Sequence, residues 1–314
     1  MNNAPASCGA EGREVRRSNS PARTNSPLGC SARRGAAKQV PSGKLAADLS
    51  ALGSSTAEVA QPCVPAIELR EVSFSYGKEP FIEGLSAMFS HGAVTSIVGP
   101  NGCGKSTMVK LVDGLLRPQA GEVRVGGVPT LSLKAKARAR RVAVLAQASR
   151  PPAMTVEALV ACGRYPYQAH QGKLSREDRE HVERALELAG IARFRTQELR
   201  RLSGGERQRA FIAMTLAQDT DLIVLDEPTT YLDIRACHET MELVRRLNVE
   251  AGKTVVMVIH DLDLALRYSD RLLVMERGRA SAAGTVGEVL ETGAIERAFG
   301  VSIRPHAAAE GIAY

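Results

Sequence analysis

The chain has 314 residues, of which 44% are hydrophobic, and this length and composition are typical of one large or two small globular domains. No uninterrupted apolar run approaches the roughly 20 residues that a membrane-spanning helix requires, so any membrane role must be peripheral. The formal net charge of +7 is uneven, because residues 1–65 carry eight basic and four acidic side chains. Without interleaved aromatic residues, we expect no nucleic-acid binding.

The amino-terminal residues 1–65 are rich in Ala, Ser, Gly, Pro and Arg and show neither helical nor strand periodicity. Such a segment cannot bury enough apolar surface to order itself, and it predicts a disordered extension. An organellar transit peptide and a wrongly assigned start codon are alternatives with the same composition. The six cysteines are widely spaced and include no C-x-x-C pair, which favours a reduced, cytoplasmic protein.

The pattern changes at Ala66, where strand-like segments begin and continue through residues 81–89. A short apolar strand over Val94–Val98 then leads into a glycine-rich loop, and residues 105–116 have the pattern of a helix. This order of strand, glycine-rich loop and helix is the context in which a phosphate-binding loop works.

Two further apolar runs, over residues 222–225 and 255–259, have the length of strands that are buried on both faces. Such runs are typical of parallel sheets covered by helices. Helical patterns over 233–247 and 262–268 supply the crossover connections. We therefore predict a core of the α/β class.

Residues 151–201 differ from the rest, because their pattern is helical throughout and contains no strong strand candidate. Ser175 is placed to cap a helix over 176–189, with Asp178 three residues later and Gly190 at its end. The sequence thus predicts an all-helical insert that splits the α/β core.

Residues 99–107 match the pattern G-x-x-x-x-G-K-[ST], which has a chance probability of roughly one per cent in a chain of this length. The glycines allow backbone N–H groups to converge on phosphate oxygens, and the following helix adds the positive end of its dipole. Lys105 is expected to reach the β- and γ-phosphates of a nucleotide, and Ser106 to ligate Mg²⁺. The residues predicted to contact ATP here are Gly99, Pro100, Asn101, Gly102, Cys103, Gly104, Lys105, Ser106 and Thr107.

Asp226 and Glu227 follow the apolar run 222–225, at the carboxyl end of a predicted buried strand. Ligands of open α/β sheets bind at this end, and Asp226 is suited to hold Mg²⁺ through water. Glu227 is then free to polarise an attacking water molecule. A structural cap at the strand end is the alternative, which the phosphate-binding loop makes less favourable.

The order and spacing of these motifs over residues 66–300 resemble those of ATP-binding-cassette (ABC) ATPases. The further matching positions are the signature Leu202-Ser203-Gly204-Gly205-Glu206, the loop glutamine Gln147, the dimer-contact loop Tyr231-Leu232-Asp233 and the switch histidine His260. The resemblance implies an α/β P-loop NTPase ABC ATPase fold with a RecA-like core, an antiparallel β subdomain and an inserted helical subdomain. We expect this domain over residues 66–304, with the core in 66–148 and 205–304, the helical subdomain in 149–204 and a tail in 305–314.

The resemblance also implies roles for residues outside the phosphate-binding loop. Gln147 would join Ser106 and Asp226 at Mg²⁺. The residues that would act in hydrolysis are Glu227, His260 and Gln147, with His260 at the γ-phosphate. The positions that would contact ATP held by a second copy of the chain are Ser203, Gly204, Gly205 and Asp233. Ser203 stands at the predicted start of a helix, which is an anion-binding arrangement in its own right.

Tyr76 lies in a turn ahead of the core and matches the aromatic residue that stacks on adenine in this family. A tyrosine packed in the core is the alternative at this position.

Short strings in and around the predicted insert resemble the ATPases of ferric-siderophore importers, a group related to those for haem and cobalamin. The strings are Leu145-Ala146-Gln147, Thr155-Val156, Gly163-Arg164-Tyr165-Pro166 and residues 227–234. This resemblance implies an ATP-hydrolysing subunit that dimerises with a second copy at the cytoplasmic face of the inner (plasma) membrane. Its further partners would be transmembrane permease subunits and, indirectly, a substrate-binding protein. A haem or cobalamin importer ATPase, or a soluble ABC ATPase of iron–sulfur cluster assembly, is the alternative.

Overall fold

The computed structural model describes residues 64–147, 151–168 and 173–303, and the backbone of residues 306–308 and 311–313. The disordered extension that we predict for residues 1–65 lies outside the described residues except for Val64 and Pro65, and residues 305, 309, 310 and 314 of the predicted tail lie outside them as well. Among the described residues, none of the helices has both the length and the apolar character needed to cross a bilayer.

Twelve strands and nine α-helices follow one another along the described residues. The strands are β1 (Ile67–Phe74), β2 (Ile82–Phe89), β3 (Val94–Val98), β4 (Ala120–Val125), β5 (Val128–Pro129), β6 (Val142–Leu145), β7 (Leu222–Asp226), β8 (Thr254–Val258), β9 (Arg271–Glu276), β10 (Arg279–Thr285), β11 (His306–Ala308) and β12 (Gly311–Ala313). The helices are α1 (Lys105–Val112), α2 (Ala135–Ala139), α3 (Val156–Cys162), α4 (Arg176–Leu188), α5 (Gly204–Ala217), α6 (Ile234–Val249), α7 (Leu262–Tyr268), α8 (Val286–Glu291) and α9 (Ala294–Phe299).

The central sheet has six strands in the order β10-β9-β3-β8-β7-β6. Its neighbours from β9 to β6 are parallel, and β10 is antiparallel to β9. A second, antiparallel sheet has the order β2-β1-β4-β5, and β11 pairs with β12. This architecture confirms the predicted α/β core and the predicted antiparallel β subdomain.

The central sheet separates two hydrophobic clusters. Every residue of β3, β7 and β8 is buried, because both faces of the sheet are covered. Successive side chains point to opposite faces, so Ile223 and Leu225 of β7 pack with the helices α5 and α6, whereas Leu222 and Val224 pack with α1 and the antiparallel sheet. This burial holds the carboxyl ends of β3 and β7 at one edge of the sheet.

The helical insert begins with α3 and α4, which pack against each other and against α5. The Ser175 hydroxyl accepts a hydrogen bond from the Asp178 N–H, and the Asp178 carboxylate accepts one from the Ser175 N–H, as the capping pattern predicts. Apart from one bridge that pairs Thr155 with Glu198, the described residues between 151 and 201 form helices and turns. The described part of the insert is therefore helical, as the sequence predicted.

Two expectations were wrong or incomplete. The helix after the phosphate-binding loop ends at Val112 and not at residue 116, because Gly114 takes a left-handed conformation with φ of 68°. The strands β4, β5, β6, β9 and β10 have no counterpart in the predicted elements. Runs of four apolar residues such as 272–275 do not distinguish strand from helix, and β10 is mostly Ala, Ser and Gly, which are not typical strand residues.

Candidate active site

The phosphate-binding loop connects the end of β3 to the start of α1. At two of its positions, Gly99 and Gly104, the backbone takes a conformation that residues other than glycine rarely adopt. Gly99 has φ of 155°, and a Cβ atom there would lie 2.2 Å from the carbonyl oxygen of Met275. Gly104, with φ of 108°, is the N-cap of α1 and supplies no side chain to the helix start. The first N–H groups of α1 are therefore not capped by a side chain, which suits an anion.

Lys105 lies inside this loop and is only 5% exposed. Its Nζ donates hydrogen bonds to the carbonyl oxygens of Gly99 at 2.7 Å and Pro100 at 3.0 Å. Neither partner carries a formal charge, so the ammonium group brings a full positive charge to the loop. A buried cation held by neutral groups is well placed to bind phosphate.

Ser106 and Asp226 come together although they are 120 positions apart in the chain. The Ser106 hydroxyl donates to Asp226 Oδ1 over 3.2 Å, and Asp226 ends β7 with 6% exposure. Burial raises the pKa of the Asp226 carboxyl, and the hydrogen bond from Ser106 opposes this. A hydroxyl, a carboxylate and the nearby Gln147 amide are hard oxygen donors, so this set fits Mg²⁺, which takes few protein ligands and completes its shell with water and phosphate.

Glu227 is held by three donors from different parts of the chain. Its Oε2 accepts from Gln147 Nε2 at 2.7 Å and from Thr230 Oγ1 at 3.0 Å, and its Oε1 lies 2.6 Å from His260 Nε2. Burial by itself raises the pKa of Glu227, but the hydrogen bonds from His260 and Thr230 outweigh it and lower the pKa below its usual value. The adjacent carboxyls Asp226 and Glu227 thus have pKa values that are shifted in opposite directions, as in many active sites.

Most of these side chains line one open groove of about 440 Å³, whereas the buried Asp226 is not among its lining residues. The residues that line it are Phe81, Asn101, Gly102, Gly104, Lys105, Ser106, Thr107, Gln147, Glu227, Thr230, Tyr231 and His260. Three of them, Phe81, Thr230 and Tyr231, were absent from the predicted site, although Tyr231 was predicted in the dimer-contact loop. Thr230 follows Glu227 by three residues and bonds to it, which a turn after the strand could have suggested, whereas nothing in the sequence pointed to Phe81.

Tyr76 stands beside the groove and is 60% exposed. Its hydroxyl lies 3.1 Å from Thr107 Oγ1, and its ring makes edge contacts with Phe74 and Phe81 at centroid distances of 4.8 and 5.6 Å. The ring is therefore not packed in the core, and its stacking on adenine stays a prediction.

The Cys103 side chain is 5% exposed, packs beneath Gly99 and accepts a weak hydrogen bond of 3.8 Å from Lys105 Nζ, so Cys103 takes part in the loop through its side chain as well as its backbone. Its carbonyl oxygen accepts a hydrogen bond of 3.0 Å from the Gly278 N–H, and the Gly278 carbonyl in turn accepts one of 3.3 Å from the Glu83 N–H. The phosphate-binding loop is therefore joined to the β9–β10 turn and to β2.

The predicted signature residues do not line the groove. Ser203 is the N-cap of α5, with Gly204 and Gly205 in the first turn, and a Cβ atom on Gly205 would lie 2.9 Å from Cβ of Ala236 in α6. Asp233 is the N-cap of α6, where its Oδ1 accepts from the Ala236 N–H at 2.8 Å. The starts of α5 and α6 thus form a second cluster within the same chain.

The chain is similar to known ATP-binding proteins along most of its length. A sequence model of the family described as "ABC transporter" matches residues 82–230. The iron(3+)-hydroxamate import ATP-binding protein FhuC of Bacillus subtilis is 39% identical over 234 residues, which are 74% of this chain and 87% of that protein. The ferric enterobactin transport ATP-binding protein FepC of Escherichia coli is 41% identical over 232 residues, 74% of this chain and 86% of that protein. In structure, the chain resembles the ATP-binding cassette MJ0796, a dimer in a post-hydrolysis state bound to ADP and Pi. The TM-score is 0.61 and the identity 30%, and the match covers 70% of this chain and 98% of that one.

Proposed function

The chain belongs to the ATP-binding subunits of ABC transporters and is an ATPase, and we propose that it energises the import of a ferric siderophore or a related iron chelate. The groove around Lys105 and Glu227 supports the ATP hydrolysis in this proposal, because it brings a buried cation and an ionised carboxylate to one site. The curated relatives whose names specify iron(3+)-hydroxamate and ferric enterobactin support the cargo class.

In this proposal the phosphates of ATP bind the loop N–H groups and the Lys105 ammonium. Mg²⁺, when bound at Ser106 and Asp226 with Gln147, would neutralise charge on the β- and γ-phosphates. The Glu227 carboxylate accepts a hydrogen bond from the attacking water and orients it toward the γ-phosphate. Its lowered pKa keeps it ionised, so it polarises the water throughout the physiological pH range.

The signature residues contribute to a site between two copies of the chain. Ser203, Gly204 and Gly205 start α5 away from the groove, which supports a role in contacting nucleotide held by the other copy. The dimeric relative supports the same arrangement. A site completed by a second copy explains why one chain carries two helix starts suited to anions.

A mixing experiment tests this arrangement. Lys105→Ala disables the phosphate-binding loop of one copy, and Ser203→Arg disables the signature of the other, so each variant alone should be inactive. The mixed dimer retains one complete site. Random pairing at equal amounts makes half of the dimers mixed, and about a quarter of the wild-type ATPase activity should return if the sites act independently. No recovery, or full activity of a strictly monomeric protein, would refute the composite site.

The loop after α3 supports contact with a permease subunit. Tyr165 is 65% exposed. Arg164 anchors the loop, because its guanidinium forms a buried ion pair with Asp178 at 2.9 Å and donates a hydrogen bond to the Ala217 carbonyl. Gly163 packs so closely that a Cβ atom would lie 2.2 Å from the Met214 carbonyl oxygen. A rigid loop that presents an aromatic side chain is suited to a protein interface.

A growth experiment tests the cargo. A strain that lacks this protein should fail to use a ferric siderophore while it still uses haem, cobalamin and ferrous iron. Loss of growth on haem or cobalamin alone would assign the protein to those related importers. Growth on every iron source, together with defective iron–sulfur enzymes, would favour the ATPase of cluster assembly.

A further inference from the structure

The start of α5 is occupied by an acidic side chain of its own first turn. The Glu206 Oε2 atom accepts hydrogen bonds from the Ser203 hydroxyl at 2.7 Å and from the Ser203 N–H at 3.0 Å. The Ser203 hydroxyl accepts in return from the Glu206 N–H at 3.3 Å. These bonds lower the pKa of Glu206, so a full negative charge lies where the helix dipole favours an anion.

The two helix starts with a predicted role in phosphate binding differ in this respect. The start of α1, at Gly104, has no side-chain cap, and no residue of its first turn is acidic. The start of α5 is closed by the pair Ser203 and Glu206. A capping box also closes the start of α8, where Thr285 and Glu288 are not among the residues predicted to contact nucleotide.

We propose that Glu206 competes with ATP for Ser203. This inference rests on the proposed function, in which Ser203 of one copy contacts ATP held by the other. The Ser203 hydroxyl has one proton, and it cannot be donated to Glu206 and to a phosphate oxygen at the same time. The carboxylate also repels the phosphate directly. Glu206 is therefore a positioning residue. While no nucleotide is bound it holds the Ser203 hydroxyl, and it must release this hydroxyl when the dimer closes on ATP.

A basic residue is available to receive the released carboxylate. Arg193 Nη2 lies 4.0 Å from Glu206 Oε1, and the Arg193 side chain is 76% exposed, with its guanidinium 4.5 Å from the centroid of the Phe194 ring. Arg209, on the same helix as Glu206, is instead paired with Glu239 of α6 at 3.1 Å. A short rotation of the Glu206 side chain toward Arg193 would free the Ser203 hydroxyl without unwinding α5.

Glu206→Gln tests the competition, because glutamine keeps one oxygen for the bonds from Ser203 but removes the charge. The variant is made in a Glu227→Gln background, which slows hydrolysis, and dimer formation is followed by sedimentation velocity over a range of Mg-ATP concentrations. A charge at a helix start changes stability by amounts that correspond to about two- to fivefold in an equilibrium constant. The ATP concentration at half-dimerisation should fall by about that factor, and the difference should shrink in high salt.

Glu288→Gln in the same background is the matched control, since it makes the same change in an equivalent box at α8. It should leave the ATP dependence of dimerisation unchanged, and thermal unfolding of both variants reports on their folding. A Glu206→Gln curve that coincides with its parent, or moves to higher ATP, would overturn the competition while leaving the dimer intact. A parent protein that stays monomeric at saturating ATP would instead refute the proposed function, and the competition with it.

Discussion

Replacement of Glu227 by glutamine should separate ATP hydrolysis from ATP binding. The carboxylate accepts three hydrogen bonds, from Gln147, Thr230 and His260. A glutamine placed with its oxygen toward Gln147 and Thr230 keeps two of them. Its NH₂ group then faces His260 Nε2, which accepts a hydrogen bond when the neutral imidazole carries its proton on Nδ1. The site can therefore accept the variant with little rearrangement.

The expected loss of stability is small. The variant exchanges charge-assisted hydrogen bonds for neutral ones at a side chain that is 13% exposed, and the net difference is about 1 kcal/mol. For a domain of this size that corresponds to a decrease in Tm of about 2–4 °C. The catalytic loss is much larger, because a neutral amide does not polarise the attacking water. Removal of such a group lowers kcat by about 10²- to 10⁴-fold, or roughly 3–5 kcal/mol of the activation barrier.

Phosphate release under saturating ATP measures the loss of hydrolysis. Fluorescence of a bound nucleotide analogue measures ATP binding, and thermal unfolding measures stability. We expect nucleotide affinity within about threefold of the parent, since none of the hydrogen bonds of Glu227 goes to the phosphate-binding loop. Turnover within tenfold of the parent would refute the assigned role of the carboxylate. A decrease in Tm of more than about 10 °C would show that Glu227 mainly supports the fold.

Three further predictions concern stability and the loop. Because burial raises the pKa of Asp226, the folded nucleotide-free protein binds the proton of this carboxyl more tightly than the unfolded chain does. The free energy of unfolding should therefore fall as the pH rises from about 4 through the raised pKa. Asp226→Asn should remove this pH dependence, which urea titrations at several pH values measure. Arg164→Ala leaves Asp178 buried without its partner and should cost about 3–5 kcal/mol by denaturant unfolding, and a cost below 1 kcal/mol would contradict the buried pair. Gly99→Ala forces a methyl group against the Met275 carbonyl and should abolish ATP binding in equilibrium dialysis, whereas normal binding would show that the loop adapts.

The sequence predicted the local features of the site better than its long-range contacts. The cap at Ser175 was predicted because a capping box depends on residues three positions apart. The strand end at Asp226 was predictable from the apolar run before it. Whether Gln147 and His260 meet at Glu227 depends on strand order, which no local pattern encodes; only the family resemblance brought them to one site.

Other features depend on packing and could not be predicted from local patterns. The direction of the Cys103 thiol is set by its packing beneath Gly99, and the place of Phe81 in the groove is set by how the antiparallel sheet meets the central one. Glu206 was read only as part of a family signature. Its competition for Ser203 became apparent from the hydrogen bonds and from the contrast with the uncapped start of α1.

The hydrogen bonds that run from Cys103 through Gly278 to Glu83 have a consequence for amide exchange. The Gly278 N–H can exchange with solvent only when its bond to the Cys103 carbonyl opens, and the Glu83 N–H is bonded to the next carbonyl in the series. A ligand that stiffens the phosphate-binding loop should thus slow deuterium uptake at these two amides, although neither belongs to the loop. Deuterium labelling of the β9–β10 turn would then report nucleotide occupancy from outside the site.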